Sequence, residues 1–272
     1  MARAREASDR LLLAVDISNT GIKFGLFPLA GGELRARWRI ATNREKTADE
    51  YAMQLDALCR HAGLALDAIA ATIISSVVPP LTSVFQDLGA RYLGREPIVV
   101  THAMDLGLRL LVDNPRETGT DRILSTLAAH RLYGGPAIVI QFGTATSFDA
   151  VSAEGDFLGG AIAPGLGISA EALARAASQL YQVELAPPPR ALGTNTIQMM
   201  QSGIVFGHVG LVEGLVARLR REIPGGERAK VIAHGGLAEL MARVTPSLET
   251  VDPNLLLSGL RLVYSQMHGE EK

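Results

Sequence analysis

The feature that most limits the fold of this chain is a pattern that occurs twice. Residues 137–151 (AIVIQFGTATSFDAV) predict an apolar strand, a short polar turn and a second, alternating strand. Residues 11–27 (LLLAVDISNTGIKFGLF) have the same layout, with Asp16 at the position that Gln141 holds in the second copy. The two copies lie 125 residues apart, close to half of the 272-residue chain. A repeat of this size predicts two similar domains that face each other and each contribute one hairpin to a cleft.

The turn of each hairpin is suited to hold an anion. Gly143 and Thr144 in the second copy, and Ser18 and Asn19 in the first, are small or hydrogen-bonding residues at the bend. Such residues let backbone N–H groups and hydroxyls approach a phosphate closely. One copy alone fits an ordinary hairpin equally well, and it is the second copy that favours phosphate binding.

Composition excludes several classes of protein. The chain is 47% hydrophobic and 20% charged, as in an ordinary soluble globular protein with ample core, and its 272 residues allow one large domain or two smaller ones. A net charge of −2 gives no sign of a nucleic-acid or anionic-membrane partner. The single cysteine, Cys59, excludes an internal disulfide and a cysteine-based zinc site, and favours a reducing compartment.

The N-terminus and the hydropathy pattern favour the cytoplasm. The first ten residues, MARAREASDR, are charged and lack the apolar core of a signal peptide. No uninterrupted apolar run approaches the ~18 residues that a membrane span needs. We therefore expect a cytoplasmic protein without a membrane partner.

Strands and helices alternate through the first half. Thr47–Glu50 is a capping box that begins a helix. Residues 72–78 predict a buried strand that Pro79 and Pro80 stop, and a short helix from Thr82 to Leu93 follows.

A helix from Ile123 to Leu132, capped by Thr120 or Asp121, precedes the second copy of the repeat. We therefore predict an N-terminal domain of residues 1–132 and a C-terminal domain of residues 133–272.

A long helix is predicted from Thr196 to Glu222. Four glycines share one of its faces: Gly203, Gly207, Gly210 and Gly214. Four polar residues argue against a membrane helix: Gln198, Gln201, His208 and Glu213. Because each glycine costs a helix about 1 kcal/mol, we expect this face to pack closely, either within the chain or across a homodimer.

Several motifs together resemble a known family. Two hairpins followed by a strand, a glycine turn and a helix at residues 231–237 are the layout of the actin-like sugar kinase and heat-shock ATPase group. The order DISNT, NPRETGTDR, GTAT, GGAIAPG and MQSGIVFGHVGLVEG, spread over about residues 11–265, resembles the type III pantothenate kinase family. The resemblance implies an α/β fold of two tandem actin-like (ribonuclease H-like) domains, with mixed sheets flanked by helices. It also implies ATP-dependent phosphorylation of pantothenate to 4′-phosphopantothenate, the first step of coenzyme A biosynthesis, by a magnesium-dependent homodimer.

The resemblance assigns roles to particular positions. Asp121 is the catalytic base, since a primary hydroxyl must give up its proton during phosphoryl transfer. The residues implied to bind ATP are Asp16, Ser18, Asn19, Thr20, Lys23, Gly143 and Thr144. The residues implied to bind pantothenate are Val112, Gly119, Thr120, Asp121, Arg122 and Thr196. Asp16 would hold the magnesium–phosphate group, and position 141 would hold a monovalent cation, K⁺ or NH₄⁺.

Several of these residues also suit roles outside the chemistry of the family. Asp121 suits a helix N-cap as well as a catalytic base. Lys23 lies in an alternating strand and suits a solvated side chain. His102, His208 and His234 have no metal-ligand spacing, so core or surface positions are favoured over metal binding for all three.

The sequence departs from the family at four positions. Serine replaces glycine at Ser18, threonine replaces alanine at Thr120, and Val112 stands where an aromatic residue is common. Gln141 replaces the aspartate of the monovalent-cation site, and an amide holds a hard cation less well than a carboxylate.

Two hypotheses of different class follow from these residues. The first is an active pantothenate kinase with reduced or altered potassium dependence. The second is a catalytically impaired member of the family that acts as a nucleotide-binding or regulatory protein. A phosphatase or ATPase of the same fold is a third, weaker interpretation.

Overall fold

Two five-stranded mixed sheets with the same topology form the framework of the computed structural model, which describes residues 10–269. The first sheet has the order β3-β2-β1-β4-β5, and its strands are β1 (Leu11–Ile17), β2 (Gly21–Pro28), β3 (Ala36–Ala41), β4 (Ile69–Ser76) and β5 (Ile98–Val99). The second has the order β10-β9-β6-β7-β8, and its strands are β6 (Ala137–Phe142), β7 (Ala145–Val151), β8 (Phe157–Pro164), β9 (Lys230–Gly235) and β10 (Thr250–Val251). In each sheet three antiparallel strands are followed by two parallel ones. The predicted α/β fold with mixed sheets is confirmed.

Helices connect and flank the strands. In chain order they are α1 (Ala48–His61), α2 (Pro79–Tyr92), α3 (Thr120–Tyr133), α4 (Leu166–Ala176), α5 (Thr196–Gln201), α6 (Gly207–Glu222), α7 (Ala238–Ala242) and α8 (Leu255–Met267). The capping box of α1 forms as predicted, since the Thr47 hydroxyl accepts from Glu50 N–H and the Glu50 carboxylate accepts from Thr47 N–H. The prediction for α2 was wrong at its start. Pro79 and Pro80 lie in its first turn, where a helix needs no N–H donor.

The chain groups into two compact units. The first unit contains residues up to Gly107, Arg116–Leu124 and the residues from Leu256 onward; the second contains Leu108–Pro115 and Ser125–Leu255. The units therefore do not follow chain order, and the predicted division into residues 1–132 and 133–272 stays a prediction.

The core of the first unit lies between one face of its sheet and helices α1 and α2. Val15 and Phe24 point from the strands toward Tyr51 of α1 and Phe85 of α2, and all four are fully buried. The ring centroids of Phe85 lie 6.1 Å from Phe24 and 5.0 Å from Tyr51. The opposite face of the same sheet is therefore left for other side chains.

The core of the second unit is built in the same way. Ile140 and Phe148 of the sheet pack with Val212 and Val216 of α6 and with Met241 of α7. This packing fixes the hairpin between β6 and β7 on a rigid base.

Helices α5 and α6 form one continuous helix, Thr196–Glu222, with a π-helical segment at Ser202–Phe206. Among the described residues it alone is long and apolar enough to cross a membrane by length and composition, a test that a core helix also passes. Gly203, Gly207 and Gly210 are exposed, and apart from their chain neighbours and the backbone of the same helix no described atom lies within 4 Å of the position where a Cβ would stand on them. The expected close packing of this face does not occur within residues 10–269.

Candidate active site

A row of polar side chains crosses the first sheet on the face opposite its core. Asp16 of β1 pairs with Lys23 of β2 and with Ser75 of β4, and Lys23 pairs with Arg39 of β3. Paired residues on neighbouring strands project from the same face. The strand registers therefore align Ser75, Asp16, Lys23 and Arg39 side by side.

Asp16 is the buried member of this row, with 1% of its surface exposed. Its carboxylate lies 3.4 Å from the Lys23 ammonium and accepts a 3.2 Å hydrogen bond from the Ser18 hydroxyl. Burial raises the pKa of Asp16, Lys23 opposes this effect, and the negative charge of Asp121 raises the pKa further. A carboxylate whose charge is only partly compensated in a buried position is suited to bind a cation.

The turn between β1 and β2 is held in place from the loop that follows β3. The Ser18 N–H donates to Gly21 O (3.0 Å), and Thr42 donates to Ser18 O (2.6 Å). The Arg44 guanidinium donates to the side-chain oxygen of Asn19 at 2.8 Å. Asn19 and its neighbour Thr20 are exposed at the tip of the turn, so their side chains are accessible to an anion.

Asp121 belongs to the same unit and is not a helix cap. Helix α3 begins at Thr120, and Gly119 O accepts from Ile123 N–H, so Gly119 precedes the helix. The prediction that Thr120 or Asp121 caps the helix was therefore wrong. The Asp121 carboxylate folds back over Gly119, where a Cβ would stand 2.5 Å from Oδ1. A capping role thus does not account for this half-buried carboxylate.

Thr120 fastens the start of α3 to the polar row. Its buried hydroxyl lies 3.2 Å from the hydroxyl of Ser75, the residue paired with Asp16. The hydroxyl of Thr120 thus faces the sheet, while Asp121 and the half-buried Arg122 follow it in the first turn of α3. The structure brings together five of the predicted residues in this unit: Asp16, Ser18, Lys23, Thr120 and Asp121.

The hairpin of the second unit is shaped by close backbone contacts. The Gly143 N–H donates to Ala145 O (3.0 Å), and the Gly165 N–H donates to Thr144 O (3.1 Å). Thr144 is exposed at the bend, whereas Thr146 is buried and lies 3.0 Å from Nε2 of His208 on α6. Burial lowers the pKa of His208, so the ring that supports this hairpin is neutral at pH 7.

Gln141 is half-buried, and its surroundings on the sheet are polar. It pairs with Ser147 on β7 and with His234 on β9. A buried carboxylate, Asp149, lies on the same face and accepts a 3.3 Å hydrogen bond from Ser147. A carboxyl group is thus present on this face of the sheet, although position 141 itself carries an amide.

The two remaining predicted substrate residues lie in the second unit. Val112 is half-buried, and its Cγ1 would lie 3.7 Å from a Cβ on Gly159. Thr196 is exposed as the first residue of α5, whose N-cap is Asn195. Gly119 and Arg122, by contrast, belong to the first unit.

The donor set fits magnesium held with a phosphate group. No cluster of three or more His, Cys, Asp and Glu side chains that could hold a metal occurs within residues 10–269. Mg²⁺ is commonly bound by one or two carboxylates, with waters and substrate phosphates completing the octahedron. Asp16, with Asp121 close enough to raise its pKa, provides such a set.

Ser75 and Arg39 in the first unit, and His208 in the second, are among the contributors that were not predicted from the sequence. The first two depend on which strands pair and in which register, so no local motif indicates them. The strand that contains Ser75 was recognised, and the two serines at its carboxyl end were the available signal.

Comparison with known proteins agrees with these features. A model of the type III pantothenate kinase family matches residues 12–218. The type III pantothenate kinase of Moorella thermoacetica is 47% identical over 256 residues, which cover 94% of this chain and 99% of the relative. That of Roseiflexus castenholzii is 51% identical over 254 residues, which cover 93% and 98%.

A solved structure with little sequence similarity has the same fold. Component A of (R)-2-hydroxyglutaryl-CoA dehydratase from Acidaminococcus fermentans aligns with a TM-score of 0.55 at 14% identity, over 96% of this chain and 100% of the other. The predicted actin-like fold is confirmed. The match over most of the sequence and the high identity to near full-length relatives lead to one conclusion: the chain belongs to the type III pantothenate kinase family.

Proposed function

We propose that this chain transfers the terminal phosphoryl group of ATP to pantothenate, giving 4′-phosphopantothenate and ADP. The name shared by its relatives supports an active kinase over a catalytically impaired member. The observation that carries the proposal is the pair Asp16 and Asp121, one buried and one half-buried, beside the turn at Ser18–Gly21.

The two carboxylates have different tasks in this proposal. Asp121 accepts the proton of the pantothenate hydroxyl as its oxygen bonds to the γ-phosphorus and the bond from that phosphorus to the bridging oxygen of ADP breaks. Asp16 would hold the Mg²⁺ that accompanies the nucleotide, and the Lys23 ammonium, 3.4 Å away, offsets part of the charge of the Asp16 carboxylate. Mg²⁺ held beside Asp16 would neutralise charge on the phosphates. Asn19, Thr20 and Thr144 supply hydrogen bonds to them.

Pantothenate recognition is proposed for residues beside Asp121, and the resemblance to the family assigns Val112 and Thr196 to the same task. Arg122 pairs with the pantothenate carboxylate or the transferring phosphate. Thr120 acts by position, because its hydroxyl contacts Ser75. Gly119, Val112 and Thr196 complete the proposed contacts.

Gln141 supports a kinase with weak dependence on a monovalent cation. The amide oxygen coordinates a cation without supplying charge, so K⁺ or NH₄⁺ binds less tightly there. We propose that the carboxyl group of Asp149, on the same sheet face, takes over part of the role of the missing aspartate.

A homodimer is proposed from the exposed face of the long helix. Gly203, Gly207 and Gly210 are uncovered within the described residues, and Met199, four residues before Gly203, is 57% exposed. A second copy of the chain that packs on this face would cover both the glycines and this apolar side chain. Light scattering at micromolar concentration tests this, and a monomer would contradict it.

We also propose a cytoplasmic location, because the single cysteine of the chain, Cys59, is buried as a free thiol.

The reaction is tested by ADP release with and without pantothenate, with mass detection of the phosphorylated product. Each assay is run with sodium and with potassium, for the wild type and for Gln141→Asp. Pantothenate-dependent turnover in sodium supports the proposal in full. ADP release that ignores pantothenate would indicate an ATPase, and silence of both proteins with ATP binding retained would indicate a nucleotide-binding relative.

A further inference from the structure

Arg39 occupies the outer end of the polar row and has no role in the mechanism so far. The register places it directly opposite Lys23, and its side chain is exposed. Two cations in directly opposite positions on a sheet repel each other. The pair of Lys23 and Arg39 becomes favourable where an anion contacts both side chains and offsets their repulsion.

The guanidinium of Arg39 is directed toward the phosphate turn. A Cβ placed on Gly21 would stand 2.7 Å from Nε and 3.1 Å from Nη2 of Arg39, so the group lies directly over the Gly21 backbone. Gly21 is the residue whose carbonyl closes the turn by accepting from Ser18 N–H. The Arg39 side chain therefore leans along the sheet from the level of Lys23 to the level of the turn.

The charge of Arg39 is not balanced by a carboxylate. Within residues 10–269 no Asp or Glu oxygen lies within 4 Å of its nitrogens, whereas Lys23 is paired with Asp16. Arg44 contacts the same turn at Asn19, so cationic side chains flank the turn at both ends. A planar guanidinium with free donors is the group that best recognises phosphate oxygens in a bidentate manner.

We propose that Arg39 is a phosphate-binding residue that contacts the β- or γ-phosphate of the nucleotide held at the Ser18–Gly21 turn. This rests on the proposed kinase function. It identifies the edge strand β3 as a third element of the nucleotide site, beside the β1–β2 turn and the start of α3. Lys23 stays engaged with Asp16, and Arg39 supplies the unpaired positive charge.

The test is the affinity of Arg39→Gln and Arg39→Lys for MgATP, MgADP and AMP, measured by calorimetry. We expect Arg39→Gln to weaken MgATP and MgADP binding roughly 10- to 100-fold, as for loss of a charge-assisted pair, and to leave AMP binding unchanged. The affinity of Arg39→Lys for MgATP and MgADP should lie between those of the wild type and Arg39→Gln, because lysine keeps the positive charge and loses the bidentate hydrogen-bonding geometry of the guanidinium.

Arg35→Gln is the matched control. Arg35 is exposed and lies four residues before Arg39, about 13 Å along the chain. The Arg35→Gln variant should therefore bind all three nucleotides with the affinity of the wild type. Equal MgATP affinity of wild type and Arg39→Gln would overturn the proposal and leave the kinase function standing. A parallel loss of AMP affinity, or a lowered Tm, would assign Arg39 a structural role and also overturn it. A wild type that binds no MgATP would overturn both.

Discussion

Replacing Asp121 by asparagine separates a catalytic role from a structural one. The substitution keeps the size and removes the base. A positioned general base contributes typically 10²- to 10⁴-fold in rate, so we expect kcat to fall by that factor, equivalent to about 3–5 kcal/mol of activation free energy. Assays of 4′-phosphopantothenate formation under saturating ATP and pantothenate give this number.

The expected effect on stability is much smaller. Asp121 is the second residue of α3 and does not cap it, so the substitution removes a helix-dipole interaction of roughly 0.3–1 kcal/mol, and the amide of equal size retains a carbonyl oxygen for the other contacts of this side chain. Loss of the repulsion with Asp16 offsets part of this. At about 2–4 °C per kcal/mol, Tm should change by no more than about 4 °C.

The same substitution should alter the titration of Asp16. Asp121 raises the pKa of Asp16, so removing its charge lowers that pKa. Protons then compete less with the cation, and Mg²⁺-dependent nucleotide binding should persist to lower pH than in the wild type. The exposed Asp113→Asn is the control, and it should leave rate, Tm and pH profile unchanged. A kcat within tenfold of wild type, or a loss of rate matched by loss of folding, would refute the assignment of the base.

Four further predictions concern other parts of the chain. Gln141→Asp should make turnover depend on potassium, because the carboxylate restores a charged ligand for the cation; equal rates in sodium and potassium would contradict this. Asp16→Asn should abolish turnover and raise Tm at pH 7–8, because the raised pKa of Asp16 means that the folded state disfavours its negative charge. The difference in Tm between variant and wild type should disappear toward pH 4, and thermal scans across pH measure it. Stability should also fall as pH drops below about 6.5, because the lowered pKa keeps His208 neutral in the folded state while the unfolded chain takes up the proton. Thr146→Val removes the hydrogen-bond partner of His208 and should lower the free energy of unfolding by roughly 1–3 kcal/mol, as measured by denaturant titration. Gly160→Ala should lower the free energy of unfolding by roughly 1–3 kcal/mol in calorimetry, because its Cβ would overlap the carbonyl oxygen of Phe148, and an unchanged Tm would contradict the packing of β7 on β8.

The duplicated fold could be predicted because its signal is repeated and local. Both hairpins alternate apolar and polar residues around a polar turn, and the structure gives both halves the same strand order. The Thr47 capping box was equally local and was found where expected. Element ends were less certain: Pro79 and Pro80 fit either the end of a strand or the first turn of a helix, and the sequence pattern does not distinguish these.

The site could be predicted only in part, because it combines local motifs with long-range pairing. Asp16 and Asp121 were recognised through motifs, but the contact between Thr120 and Ser75 joins residues 45 positions apart. Alternation along β3 indicates that Arg39 is exposed, yet it does not indicate that Lys23 is its partner. Parallel pairing of β1 with β4 is likewise invisible to any short window of sequence.

The polar row also ties the chemistry of this chain to the fidelity of its strand pairing. Trp38 and Ile40 alternate with Arg39 on β3 and pack against the first core, and a slip of one residue would exchange the two faces of the strand. Such a slip would bury a guanidinium and expose an indole, so it is strongly disfavoured. The apolar residues on the core side of the sheet thus fix the strand register, and the register sets the positions of the charged side chains beside the Ser18–Gly21 turn. Substitutions that weaken the packing of these apolar residues should change the nucleotide affinity before they unfold the protein.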